Sequence, residues 1–213
     1  MGKLVLFDLD GTVTDSGEGI MNCAELALRH FNLPVPDRNT MRVFVGPPLH
    51  DTFVKFGVPA DRVEEAVTVF RSRYTTIGKF ENTPYPGVRQ LLDRLNAQGY
   101  KLYIATSKPE NMAIEILTKF GLHDCFQMIC GATLDTSRIR KEDVIDYLLR
   151  QAGSSDHAIM VGDTEFDVTG AAFHGIPTIG VSWGYGSVEA MQKAGAVAIA
   201  DNMDELFQLI EQA

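Results

Sequence analysis

The chain has 213 residues, of which 45% are hydrophobic, enough for a substantial core and against disorder. Its net charge of −9 argues against general nucleic-acid binding and against docking on anionic lipid. Three cysteines, Cys23, Cys125 and Cys130, cannot close a disulfide framework, so reduced thiols in a reducing, cytoplasmic compartment are expected. The first apolar run, residues 3–7, is interrupted by Asp8 and Asp10, so it is neither a signal peptide nor a membrane span and reads as a buried strand ending at Asp8.

Residues 15–82 differ in pattern. Ile20, Ala24, Ala27, Leu28 and Phe31 fall at helical spacing, with Asp15 or Ser16 placed to cap. Val63, Val67, Phe70, Tyr74 and Ile77 predict a second amphipathic helix, and a third starts near Leu49, after Gly46-Pro47-Pro48. No strand is expected here, so this segment reads as a small helical domain inserted after the first strand.

Beyond Pro84 and Pro86 strands and helices alternate. Val88, Leu91, Leu92 and Leu95 mark a helix stopped by Gly99. Leu102–Ala105, Phe126–Ile129, Ala158–Val161, Ile176–Val181 and Val197–Ala200 are predicted strands. Helices are expected around Met112–Phe120, Val144–Leu149 and Met203–Ile210, the last with Asn202 as N-cap. Alternation of this kind predicts an α/β fold, a doubly wound parallel sheet, formed by residues 1–14 and 83–213.

In such a sheet ligands bind at the carboxyl ends of the strands. There the sequence places Asp8-Leu9-Asp10-Gly11-Thr12, Thr106-Ser107-Lys108-Pro109, and Gly162-Asp163-Thr164-Glu165-Phe166-Asp167. Clustered carboxylates repel unless a cation joins them, and hard oxygen ligands favour Mg2+. Taken singly the pieces are weak. Asp-Gly is also a turn signal, Thr106 could cap the next helix, and Asp167 could be a first-turn helix acid. The five histidines lack ligand spacing.

Together, these segments resemble the motifs of haloacid dehalogenase-type phosphatases, in matching order over nearly the whole chain. The resemblance implies a Rossmann-like core with an inserted α-helical cap. It implies Asp8 as phosphoryl-accepting nucleophile and Asp10 as acid and base, its backbone carbonyl also facing the metal. Asp163 and Asp167 would complete the Mg2+ site. Thr106 would hold the phosphoryl oxygens, and Gly11, Thr12, Ser107 and Lys108 would line the substrate. Lys141 is the chosen cation, with Arg138, Arg140 and Lys108 as alternatives. In the cap, Arg42, Gly46 and His50 are the residues expected to meet substrate, although Gly46-Pro47-Pro48 also reads as a connector. Trp183 and Tyr185 read equally as loop packing or as the rim of the site.

Val45–Leu49 and Val181–Gly186 look most like phosphoglycolate phosphatase-like members. The expected activity is hydrolysis of a small phosphorylated metabolite by a monomer or homodimer, without nucleic-acid or membrane partners. A nucleotidase, a pyrophosphatase and a β-phosphoglucomutase-like phosphomutase remain as alternatives. Asp10 favours a phosphatase over a dehalogenase, which needs no such acid. Val45–Leu49 stands where the mutases carry an Arg-Gly-x-Ser-Arg element, and no group is missing as it would be in a non-enzymatic regulator.

Overall fold

The computed structural model describes residues 3–135, 137–153 and 157–213; Met1 and Gly2, at the start of the N-terminal run, lie outside them. The chain divides into two compact units, residues 1–14 with 84–213, and residues 15–83. The return crossing thus falls after Thr83, one residue later than the boundary expected from the sequence. Two-residue strands β2 (Thr14–Asp15) and β3 (Thr83–Pro84) mark the crossings, where no strand was expected.

The larger unit is built on six parallel strands in the order β5-β4-β1-β6-β7-β8. They are β1 (Leu4–Phe7), β4 (Lys101–Pro109), β5 (Met128–Ala132), β6 (Ala158–Gly162), β7 (Thr178–Val181) and β8 (Ala198–Ala200). Phe7 pairs with Ile104 on one side and Val161 on the other, so β1 is central. Side chains alternate between two cores. Val5, Phe7, Ile104 and Val161 face one layer of helices, and Leu4, Leu6, Tyr103 and Met160 face the other. This is why the strands read as continuous apolar runs rather than as alternations. Each fully buried Leu or Phe contributes about 1.5–3 kcal/mol.

Among the described residues six helices cover the sheet: α5 (Val88–Ala97), α6 (Glu110–Lys119), α7 (Lys141–Ala152), α8 (Glu165–Ala172), α9 (Val188–Ala194) and α10 (Met203–Gln212). In α5 the apolar spacing buries Val88, Leu91, Leu92 and Leu95, and Gly99 just beyond it has φ 82°. Asn202 caps α10, its side chain accepting from Glu205 N. The apolar spacing does not predict the short α9, because Met191 is its only buried residue and leaves no helical period. Strand β5 starts two residues later than expected, with Phe126 packed into the core ahead of it. Strand β7 starts at Thr178, after Pro177, which has no N–H for a ladder.

The smaller unit is helical: α1 (Gly17–His30), α2 (Arg38–Met41), α3 (Leu49–Lys55) and α4 (Val63–Tyr74). Phe44, Phe53, Phe56, Phe70 and Tyr74 form a chain of ring contacts at its centre. Ile77, expected on the apolar face of α4, lies beyond its end and is exposed. Ser16 occupies the N-cap of α1 without a side-chain cap bond; Asp15 Oδ1 accepts from Gly17 N instead. Among the described residues no helix is long and apolar enough to cross a membrane.

Candidate active site

The strand order reverses at β1: the chain adds β4 and β5 on one side, then returns to place β6 on the other. Such a switch point opens a crevice beyond the carboxyl ends of the strands. Asp8 follows β1 directly and its N–H continues the ladder to Val161 O at 2.9 Å. Asp163 follows β6, and Asp167 lies in the first turn of α8. Carboxylate oxygens of Asp8, Asp163 and Asp167 lie within 4.8 Å of one another, and all three residues are buried.

Lys141, the first residue of α7, enters this cluster. Its Nζ lies 2.8 Å from Asp8 Oδ1 and 2.7 Å from Asp167 Oδ1, and donates to Ala105 O at 3.0 Å. Gly170 on α8 gives its stem room, since a Cβ there would come within 2.7 Å of Lys141 Cβ and Cγ. The three alternatives go elsewhere: Lys108 pairs with Asp10. Arg138 binds Glu110, and Arg140 is an exposed residue 3.6 Å from Glu142.

Asp163 is held from three directions. It accepts from Thr12 Oγ1 at 3.1 Å, Tyr185 N at 2.8 Å and Gly186 N at 3.4 Å. Gly11, at φ 83°, and Gly184 both press on its carboxylate, so a Cβ at either would collide with Asp163 Oδ2. Asp167 Oδ2 accepts from Thr164 N and Thr164 Oγ1 at 3.0 and 2.8 Å, leaving Oδ1 for Lys141.

Burial pushes the Asp8 carboxyl up to about 6; Lys141 opposes this, and Asp167 and Asp10 add to it. Burial likewise pushes Asp163 up to about 8, reinforced by Asp167 and Asp8 and opposed by its bonds from Tyr185 and Thr12. For Lys141 burial acts downward, but the carboxylates of Asp167 and Asp8 outweigh it and hold the ammonium charged. Asp8 and Asp167 therefore share one ammonium, while Asp163 is held by neutral donors. The buried oxygens Asp8 Oδ1 and Asp167 Oδ1 have no aligned hydrogen bond and face Lys141 only as ion partners. An excess of buried oxygen donors and negative charge of this kind fits a divalent cation.

The Asp10 carboxylate is not part of that cluster. Its Oδ1 accepts from Lys108 Nζ at 2.8 Å, a largely buried pair. Strand β4 runs on to Pro109, four residues beyond the expected end, with a register shift against β5 between Ala105 and Pro109. In this stretch Thr106 and Lys108 are buried and Ser107 is exposed. Thr106 Oγ1 accepts from Lys108 N, and it does not cap α6, which begins at Glu110. Thr12 is buried with its hydroxyl committed to Asp163 rather than to an open cavity. Trp183 Nε1 donates to Thr12 O at 3.2 Å and the indole packs edge-on against Tyr85, so it supports the Asp10–Thr14 loop.

Of the cap residues, Arg42 and Gly46 are exposed, and His50 Nε2 lies 2.7 Å from Glu64. These three belong to the helical unit. The structure adds Gly186 and Thr164 to the site as supports of the acidic cluster, and places Tyr185 beside Asp163 in the same role. Their main role is through backbone N–H groups, for which a sequence carries little signal.

The chain is 41% identical over 207 residues to the tyrosine-protein kinase PtkA of Mycobacterium tuberculosis, covering 96% of this chain and 71% of that one. It is 37% identical over 209 residues to a 5'-nucleotidase of Pseudomonas aeruginosa, covering 97% and 95%. A crystal structure of a predicted phosphatase from Clostridium acetobutylicum matches with a TM-score of 0.95 and 40% identity over the whole of both chains. The model of the haloacid dehalogenase-like hydrolase family matches residues 5–181, more than four-fifths of the sequence, and the chain therefore belongs to that family.

Proposed function

We propose that this hydrolase is a Mg2+-dependent phosphatase acting on small phosphate monoesters through an aspartyl-phosphate on Asp8. One observation supports the reading most: the Asp8 carboxylate sits beside Lys141 within a buried acidic triad, while Asp10, two residues on, is held separately by Lys108. The two carboxylates, two residues apart, thus have different surroundings.

An Asp8 oxygen attacks phosphorus, forming the acyl-phosphate as the ester P–O bond breaks. Asp10 gives its proton to the leaving oxygen, then takes one from the water that attacks phosphorus and releases Asp8. Lys141 offsets charge on the transferring group, and Thr106 with nearby backbone N–H groups supports its oxygens. Asp8, Asp163, Asp167 and the Asp10 carbonyl would hold Mg2+, which neutralises phosphoryl charge when bound. The helical unit supplies substrate choice through Arg42, Gly46 and His50. Three unpaired cysteines support a cytoplasmic setting.

The substrate screen starts with nucleoside monophosphates, because the Pseudomonas aeruginosa relative covers nearly the whole chain. Phosphoglycolate, which the Val45–Leu49 and Val181–Gly186 segments favour, follows. Phosphate release from one of these classes in Mg2+, abolished by chelator, is the expected result. A rearranged sugar phosphate without free phosphate would instead make the protein a mutase. Transfer from ATP to tyrosine with little free phosphate would make it a kinase, as PtkA is named.

A further inference from the structure

We infer that Arg138 and Glu110 form a clamp that positions both lysines of the active site, which makes Arg138 a positioning residue for the proposed reaction and rests on that reading. Arg138 lies three residues before Lys141, in the connection from β5 to α7. Its Nη2 donates to Glu110 Oε2 at 2.6 Å and its Nε donates to Gly131 O at 2.8 Å. Glu110 Oε2 also accepts from Gly131 N at 3.1 Å, closing a three-way junction. The guanidinium carbon lies 3.8 Å from the centre of the Tyr147 ring on α7. The main chain of Arg138 is pinned as well: its N–H donates to Thr133 Oγ1 at 3.0 Å and its carbonyl accepts from Thr133 N at 2.8 Å.

Each member of the junction leads to a lysine. Glu110 starts α6, two residues after Lys108, whose Nζ holds Asp10. Gly131 lies flat against the same turn, and a Cβ there would come 2.5 Å from Lys108 O and 2.7 Å from Glu110 Cα. Tyr147 and the Thr133–Arg138 pairing fix the start of α7, from which Lys141 reaches Asp8 and Asp167. A lysine side chain is long and flexible, so the position of its ammonium depends on where its backbone is held. Only the forked guanidinium serves Gly131 and Glu110 together while stacking on Tyr147. Arg138 is largely buried and Glu110 only about two-thirds so, which makes the pair a modest source of stability and a strong geometric constraint.

The test uses the Mg2+-loaded enzyme, an aryl phosphate and the best metabolite from the screen, with Arg138→Met, Arg138→Lys, Glu110→Gln and Lys141→Ala. Arg138→Met should lower kcat about tenfold to a hundredfold, the scale of a sub-ångström to one-ångström misplacement. KM should stay within about threefold, because the lost interaction acts on the transition state. Arg138→Lys should recover little, since one ammonium cannot replace the fork, and Arg138→Met with Glu110→Gln should be no worse than Arg138→Met alone. A lower melting temperature with unchanged kcat, or full recovery by Arg138→Lys, would overturn the inference. If Arg138→Met does not fold, Glu110→Gln decides: lower kcat at wild-type KM supports the clamp, and unchanged kcat refutes it. A silent Lys141→Ala would overturn the site reading itself, whereas a crippled Lys141→Ala beside fully active clamp variants would refute the clamp alone.

Discussion

The two units of this chain carry their candidate functional residues in opposite ways. In the sheet unit, Asp163 and Asp167 are 1% and 0% exposed, and each is held by two or three hydrogen bonds. In the helical unit, His50 has 44% of its side chain exposed and pairs with a Glu64 that is 79% exposed. The first arrangement holds each carboxylate through several partners, as charge stabilisation during bond making requires. The second leaves side chains free to adapt, which suits selection among substrates more than chemistry.

Asp8→Asn should break the sheet-unit side of this contrast most completely. Asn cannot form the acyl-phosphate, so turnover should vanish while the protein stays folded, and stopped-assay phosphate release within tenfold of wild type would remove Asp8 as nucleophile. Lys141→Ala should come next, costing about 3–4 kcal/mol of transition-state stabilisation, the scale of one lost electrostatic contact of this type. The measurement is kcat/KM on the aryl phosphate.

Asp163 gives a prediction in stability rather than rate. Its carboxyl is pushed up to about 8 in the metal-free protein, above the ordinary value near 3.8. Below that ordinary value both folded and unfolded chains carry the proton and nothing is lost. As pH rises towards 8 the unfolded chain ionises freely while the folded one resists, so metal-free stability falls. Asp163→Asn should therefore gain on wild type between pH 5 and pH 8 in chelator, by more than about 1 kcal/mol given that one pH unit of displacement is worth about 1.4 kcal/mol. Urea unfolding at the two pH values checks this, and a constant difference would contradict it.

The helical unit should answer differently. Arg73 binds both Glu81 oxygens at 2.6 Å in a half-buried pair, and Asn22 joins them. Arg73→Met should cost about 1–2 kcal/mol of stability, discounted for exposure. Its effect on kcat should be less than about threefold. The smallest change is expected from His50→Ala, with stability within about 0.5 kcal/mol of wild type. Its effect should appear instead in the ranking of metabolites, with hydrolysis of a small aryl phosphate little altered. An unchanged ranking would deny the helical unit its role in selection.

The same contrast governs what the sequence makes legible. Asp8, Asp10, Asp163 and Asp167 stand at predicted strand ends, so topology alone brings three of their carboxylates together. Lys141, chosen on the family resemblance, is the first residue of α7, three residues before the apolar period at Val144 that marks that helix. The Lys108–Asp10 pair is not legible, since it depends on β4 continuing past Ala105 through an irregular register. Nor are the bonds from Tyr185 N and Gly186 N to Asp163, because backbone donors look alike in any residue. Helix α9 escapes for lack of an apolar period, and α2 is only four residues long.

The central claim is that Asp8 carries the phosphoryl group. The direct measurement is acid quenching during turnover of the best substrate in Mg2+, followed by peptide mass spectrometry across residues 3–15. The expected result is one added phosphoryl group on Asp8, appearing at the rate of turnover or faster, removed by neutral hydroxylamine and absent from Asp8→Asn. Steady turnover with no label on Asp8 under quench times that resolve the burst, or label on another residue, would contradict it.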